Sequence, residues 1–120
     1  MSTTNSYVRP RKLPLPPVQT YTGATDAIVI SRGDVHVLAR SGAADAATLA
    51  DPTSNTDDGR VIWVKNGEAQ ANTITITNGL GGSGAGYTTL TFLAVVAANV
   101  TLRAYQGKWY MVGQYGITVS

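Results

Sequence analysis

A chain of 120 residues fits one domain, which at that length buries roughly two thirds of its unfolded surface and can hold a core without staples. The absence of cysteine excludes disulfides and thiolate metal sites, and a charged fraction of only 13% argues against long solvent-exposed helices. The net charge of +2 is unevenly spread: Arg9, Arg11 and Lys12 give the first twenty residues +3 with no acid, leaving the rest at −1.

Residues 1–20 read as a separate segment. Pro10, Pro14, Pro16 and Pro17 are four of the five prolines, and each fixes φ and lacks a backbone donor. The stretch Leu13-Pro14-Leu15-Pro16-Pro17-Val18 is therefore expected to be an extended, polyproline-like arm rather than a helix or central strand. Its apolar side chains suit a segment that lies along a neighbouring subunit, with Arg9, Arg11, Lys12, Leu13, Leu15 and Val18 as its partner-binding residues. The competing reading is a disordered, solvated terminus. A basic arm on a near-neutral body fits an acidic protein surface, and three charges are too few to indicate nucleic acid. No apolar stretch follows these charges as in an export signal, so synthesis in a cytoplasm is expected. The longest apolar run, Phe92 to Ala98, is too short to span a membrane.

Residues 21–120 are expected to form a β-domain of short strands separated by turns. Ala27 to Ile30 reads as a first strand and Ser31-Arg32-Gly33-Asp34 as a turn; Val35 to Ala39 alternates. Ala43 to Ala50 is the one plausible helical piece, although Thr48-Leu49 before Asp51-Pro52 could equally end a strand. Arg60 to Lys65 is β-branched and aromatic on both parities, as in a strand covered on both faces. Thr73-Ile74-Thr75-Ile76-Thr77 alternates with isoleucine inward and threonine outward, and a glycine-rich loop, Gly79 to Gly86, leads to Thr88–Leu93. Val100–Tyr105 and Lys108–Val112, joined by Gln106-Gly107, read as a hairpin. This spacing indicates an all-β sandwich, barrel or prism.

In order, Thr48-Leu49…Pro52, Gly59-Arg60-Val61-Ile62-Trp63-Val64-Lys65-Asn66, Thr73 to Thr77 and Val100-Thr101-Leu102…Gly107-Lys108-Trp109-Tyr110 resemble a β-domain of phage particle proteins, especially tail fibres. The resemblance covers about three quarters of the chain, from Thr25 to Val112. It implies an intertwined or closely packed homotrimer on a virion, without catalysis. In tail fibres the domain ends a longer shaft. A copy that starts at Met1 with a basic, proline-rich arm looks more like a capsid decoration (cement) protein, whose arm would clamp neighbouring subunits of the major capsid protein. The other reading is a tail-fibre or spike tip that binds a host glycan.

Four motifs invite a chemical reading. Gly79-Leu80-Gly81-Gly82-Ser83-Gly84 formally matches a dinucleotide fingerprint, but a strand-like stretch follows where a helix is needed. Arg32-Gly33-Asp34 matches an adhesion tripeptide and is better read as turn chemistry. His36, the one histidine, shares its strand parity with Asp34, yet no nucleophile pattern accompanies them. Asp51, Asn55, Asp57 and Asp58 could approach a hard cation, but their spacing fits no EF-hand and suits turns. No catalytic, cofactor or metal residue is therefore assigned. Trp63, Trp109 and Tyr110 are the aromatics expected in the core or at a subunit interface, with Trp109 and Tyr110 on opposite sides of one strand.

Overall fold

The computed structural model describes residues 17–120. Among these described residues, nine strands form two mixed sheets enclosing one core. They are β1 (Val18–Tyr21), β2 (Val35–Leu38), β3 (Ala46–Leu49), β4 (Val61–Asn66), β5 (Thr73–Ile76), β6 (Thr89–Phe92), β7 (Asn99–Tyr105), β8 (Lys108–Tyr115) and β9 (Ile117–Val119). The five-stranded sheet has the order β1-β2-β4-β7-β8 and the four-stranded sheet the order β3-β5-β6-β9. From β2 to β5 the chain alternates between the sheets. Each strand therefore lies parallel to the one two elements before it, β4 on β2 and β5 on β3. The later pairs are antiparallel.

Alternation places one side of every main strand inside. Ile62, Val64, Leu102, Ala104 and Trp109 face Leu49, Ile74, Ile76, Leu90 and Phe92 across the core, all essentially buried. The β7–β8 hairpin turns on Gln106 (φ 48°) and Gly107 (φ 80°), the left-handed pair that a two-residue turn matched to strand twist requires. The Asp58 carboxylate accepts from the Gln106 backbone N–H at 2.7 Å and from its Nε2 at 2.8 Å.

Buried amides and a carboxyl tie the sheets together at one end. Asn66 on β4 donates from Nδ2 to the carbonyls of Gln70 (3.0 Å), Leu93 (3.1 Å) and Val95 (2.9 Å). Its Oδ1 accepts from Asn72 Nδ2 at 2.9 Å, and Asn72 Oδ1 accepts from the Asp45 N–H at 2.7 Å. Asp45 Oδ1 accepts from the Asp26 N–H at 3.1 Å. Such a chain specifies register as well as stability, because every broken link leaves a buried polar group unpaired.

Several expectations need correction. Val18 to Thr20, assigned to the arm, belong to β1, which pairs in parallel with β2, so the body begins ahead of residue 21. Ala27 to Ile30 is no strand. Ala27 makes one bridge to Thr48, the Tyr21 hydroxyl takes the Val29 N–H at 3.1 Å, and Ile30–Arg32 form a 3-10 turn. Ala46–Leu49 are a strand, and no α-helix occurs among the described residues. Val61 to Lys65 is covered on one face only: Ile62 and Val64 are inside, whereas Val61 and Trp63 are exposed. In β2 the buried parity is that of His36 and Leu38, not of Val35 and Val37.

Candidate functional site

The outer face of the five-stranded sheet is apolar and aromatic. Registration sets Val18, Val35, Trp63 and Thr101 in one row across the strands, with Thr20, Val37, Lys65, Asn99 and Tyr115 in the next. On the other side of the first row lie Val61, Arg103 and Tyr110, and beyond them Tyr105. Trp63 is 37% exposed, Tyr105 and Tyr115 57%, and Val112 58%. Trp63 Nε1 donates to Asn99 Oδ1 at 3.1 Å, a bond to the neighbouring strand that restrains the indole. The Tyr105 and Tyr110 rings are tilted at a 6.4 Å centroid separation. Large aromatics held in place with one side bare are what interface centres select.

One end of this face has a charged rim of both signs, where Arg32 and Lys108 also lie. Asp34, Asp57 and Asp58 gather there against Arg60 and Arg103; Arg60 approaches Asp57 at 3.3 Å and Asp34 at 4.0 Å.

The outer face of the four-stranded sheet is different in kind. Its rows are Ala46-Thr73-Thr91-Thr118 and Thr48-Thr75-Thr89, with neither a charge nor a large apolar side chain. A third surface lies at the end tied by Asn66, where the loop after β6 exposes Leu93, Val95 and Val96.

Beside β8, the Tyr110 ring lies over Gly81 and Gly82, where a side chain on either glycine would crowd the ring. Gly81 to Gly84, Tyr87, Tyr110, Met111 and Val119 line a cleft of about 220 Å³. The run Gly79 to Gly84 leads through a 3-10 turn to β6, not to a helix.

Of the sequence-predicted site residues, Trp63 and Tyr110 share the apolar outer face. Trp109 is fully buried, its Nε1 donating to the Ala50 carbonyl at 2.9 Å. Val18 lies on the same outer face as Trp63, 57% exposed. Arg9, Arg11, Lys12, Leu13 and Leu15 lie outside the described residues. Tyr105, Tyr115 and Val112 were not singled out from sequence. Alternation from Trp63 through Thr101 would have found Tyr105. Val112 and Tyr115 could not be placed without the bulge between Thr101 and Leu102.

His36 is buried, its Nδ1 2.9 Å from the Tyr21 hydroxyl and its Nε2 without a partner; burial lowers its pKa. Asp34, one residue ahead of β2, is exposed and paired with Arg60, so strand parity does not join it to His36. Asp51 binds the Asn78 amide, while Asp57 caps the Thr53 N–H at 2.7 Å. Among the described residues no three His, Cys, Asp or Glu side chains gather as metal ligands. Gly33 has φ 151°, and a Cβ there would strike the Pro17 carbonyl, a backbone reason for glycine in Arg32-Gly33-Asp34.

No protein-family model matches the chain, and neither does any curated protein or solved structure.

Proposed function

We propose that this chain is a phage virion structural protein of the capsid-decoration type. Its copies associate as a trimer, sit on the major capsid protein, and tie neighbouring subunits of the shell together through the N-terminal segment. The apolar and aromatic outer face of the five-stranded sheet carries the reading: Trp63, Tyr105, Tyr115 and Val112 hold large apolar surface in water with no core to serve. The sequence resemblance to phage particle β-domains supplies the setting. The proposed role needs no catalytic group and no cofactor, since burying surface between subunits is the work. Sedimentation of the full chain at increasing concentration, followed by cosedimentation with heads of a phage that encodes it, tests this. Trimers that saturate the heads are expected; a monomer at every concentration, or label found only on tails, would refute it.

The cleft beside Gly81 to Gly84 favours a second reading, a tail-fibre or spike tip that binds host glycan. Tyr87 and Tyr110 offer ring faces there, and Ser83 with the glycine amides offers polar contacts. Its volume of about 220 Å³ falls below the ~300–1,000 Å³ of ordinary ligand sites. Binding of the full chain to a glycan array, lost in Tyr110→Ala, would favour the tip.

A further inference from the structure

We propose that residues 23–28 form a strap over the outer edge of β3, fastened by a single proton shared between Asp26 and Asp45, and that the strap opens when this proton is lost. The device is independent of the proposed assembly.

The strap is visible in the backbone. β3 is an edge strand of the four-stranded sheet, with β5 on its inner side. On its outer side the Ala46 N–H donates to the Ala24 carbonyl, the Thr48 N–H to the Asp26 carbonyl, and the Ile28 N–H to the Thr48 carbonyl, each at 2.9 Å. Ile28 is buried and anchors one end, whereas Ala24, Thr25 and Ala27 are exposed. Little apolar surface therefore holds the strap down, which is the condition for opening locally rather than with the whole fold.

The fastening is polar. Asp45 Oδ1 accepts from the Asp26 N–H at 3.1 Å, and the Asp26 carboxylate accepts from the Gly23 N–H at 2.8 Å. A Cβ on Gly23 would stand 2.9 Å from Asp26 Oδ1, so glycine lets the turn close over this group. The two carboxyls also hydrogen-bond one another, and Asp45 Oδ2 is buried without a donor. Two carboxylates offer acceptors only, so their contact requires one proton between them.

No other group takes the proton's place. Asp26 and Arg40 are the charged groups that act on Asp45, and Arg40 Nη1 donates instead to the Ala44 carbonyl at 2.9 Å. The β5 side presents the neutral amide of Asn72, which is occupied by the Asp45 N–H. Beyond the strap's far end, the Tyr21 hydroxyl holds the Val29 N–H and meets His36 Nδ1. Burial lowers the His36 pKa, so that end stays neutral as pH rises. Burial first, then Asp26, raises the Asp45 carboxyl from 3.8 to about 6. Fastening is therefore complete below the lower value and lost as pH rises through the upper one.

Hydrogen exchange of the full chain, read at single amides by NMR and corrected for intrinsic rates, tests the strap. From pH 4 to 7 the Ala46 and Thr48 amides should lose protection at least tenfold. At every pH they should be less protected than Ala104 and Ile76, whose amides bond within the two sheets. In Asp45→Asn and in Asp26→Asn a side-chain N–H replaces the shared proton, and Ala46 and Thr48 should stay protected up to pH 7. Asp26→Asn, at the less buried position, carries the test should Asp45→Asn not fold. Protection that does not change with pH, or that changes equally in the folded variants, overturns the shared proton. Exchange of Ala46 and Thr48 at the rate of Ala104 means that the edge opens only with the whole fold, and overturns the strap. Calcium chloride that restores protection to the wild type at pH 7 makes the pair a cation site and overturns the proton fastening.

Discussion

The two sheets bury the same kind of inner face and expose opposite kinds of outer face. On the four-stranded sheet the outer rows are threonine and alanine, residues that hold a strand by β-branching or small size while hydroxyls satisfy water. On the five-stranded sheet the equivalent rows carry tryptophan, tyrosine and valine, whose burial would stabilise an assembly but whose exposure contributes nothing to the isolated fold. Both sheets meet the same demand for strand propensity, so propensity does not account for the difference. Under the proposed function, the aromatic face answers to a partner surface.

The largest expected effect separates core from face within one residue type. Trp109→Ala should cost about 3–5 kcal/mol in urea unfolding, since it empties the core and strips the Ala50 carbonyl of its donor. Trp63→Ala, on the bare side of the adjacent sheet region, should cost the isolated subunit about 1 kcal/mol or less. Equal losses would mean that Trp63 serves the fold, and the contrast between faces would lose its main support.

This contrast was only half legible in the sequence. Thr73 to Ile76 shows its outer face at once, because strict alternation of β-branched residues leaves one assignment. Val61 to Val64 misleads for the opposite reason: both parities are apolar, which in a single chain means burial on both sides and in an assembly means a partner. Val35, His36 and Val37 mislead through pairing, since the Tyr21 hydroxyl makes the imidazole an acceptable core group and turns the valines outward. Ala27 to Ile30 has strand composition, yet the Tyr21 hydroxyl and the turn before Gly33 claim its backbone. The hairpin through Gln106-Gly107 was readable from local turn chemistry. The junction of Asp26, Asp45, Asn66 and Asn72 was not, because it joins residues as far as 27 positions apart.

That junction supplies a smaller, pH-dependent effect on the frame that holds both faces. Burial, reinforced by the neighbouring Asp26, pushes the Asp45 carboxyl up to about 6, with Oδ2 unpartnered. A carboxyl whose pKa is raised in the folded state binds its proton more tightly there than in the unfolded chain. Its contribution is complete below the unfolded value near 4 and is lost as pH rises through about 6. His36 has the opposite sign: its lowered pKa makes its contribution complete above the unfolded value of 6.5 and lost as pH falls. In Asp45→Asn the first dependence should vanish. Unfolding free energies measured from pH 4 to 7 should then show the variant gaining on the wild type as pH rises. A constant offset would mean that the carboxyl is not protonated in the fold.

The smallest expected effect is also the control on which the comparison turns. Thr75 lies in the middle of the threonine rows, between Thr48 and Thr89, with its side chain in water. Thr75→Lys adds a charge where nothing is proposed to dock, so stability should stay within about 0.5 kcal/mol and association should be unchanged. Val61→Lys makes the same addition at an exposed position beside Trp63 and Arg103, and should weaken self-association at least tenfold at similar monomer stability. Sedimentation equilibrium on the two variants reads both outcomes. If Thr75→Lys dissociates the assembly and Val61→Lys does not, copies meet through the hydroxyl rows. The aromatic face would then be free for another ligand.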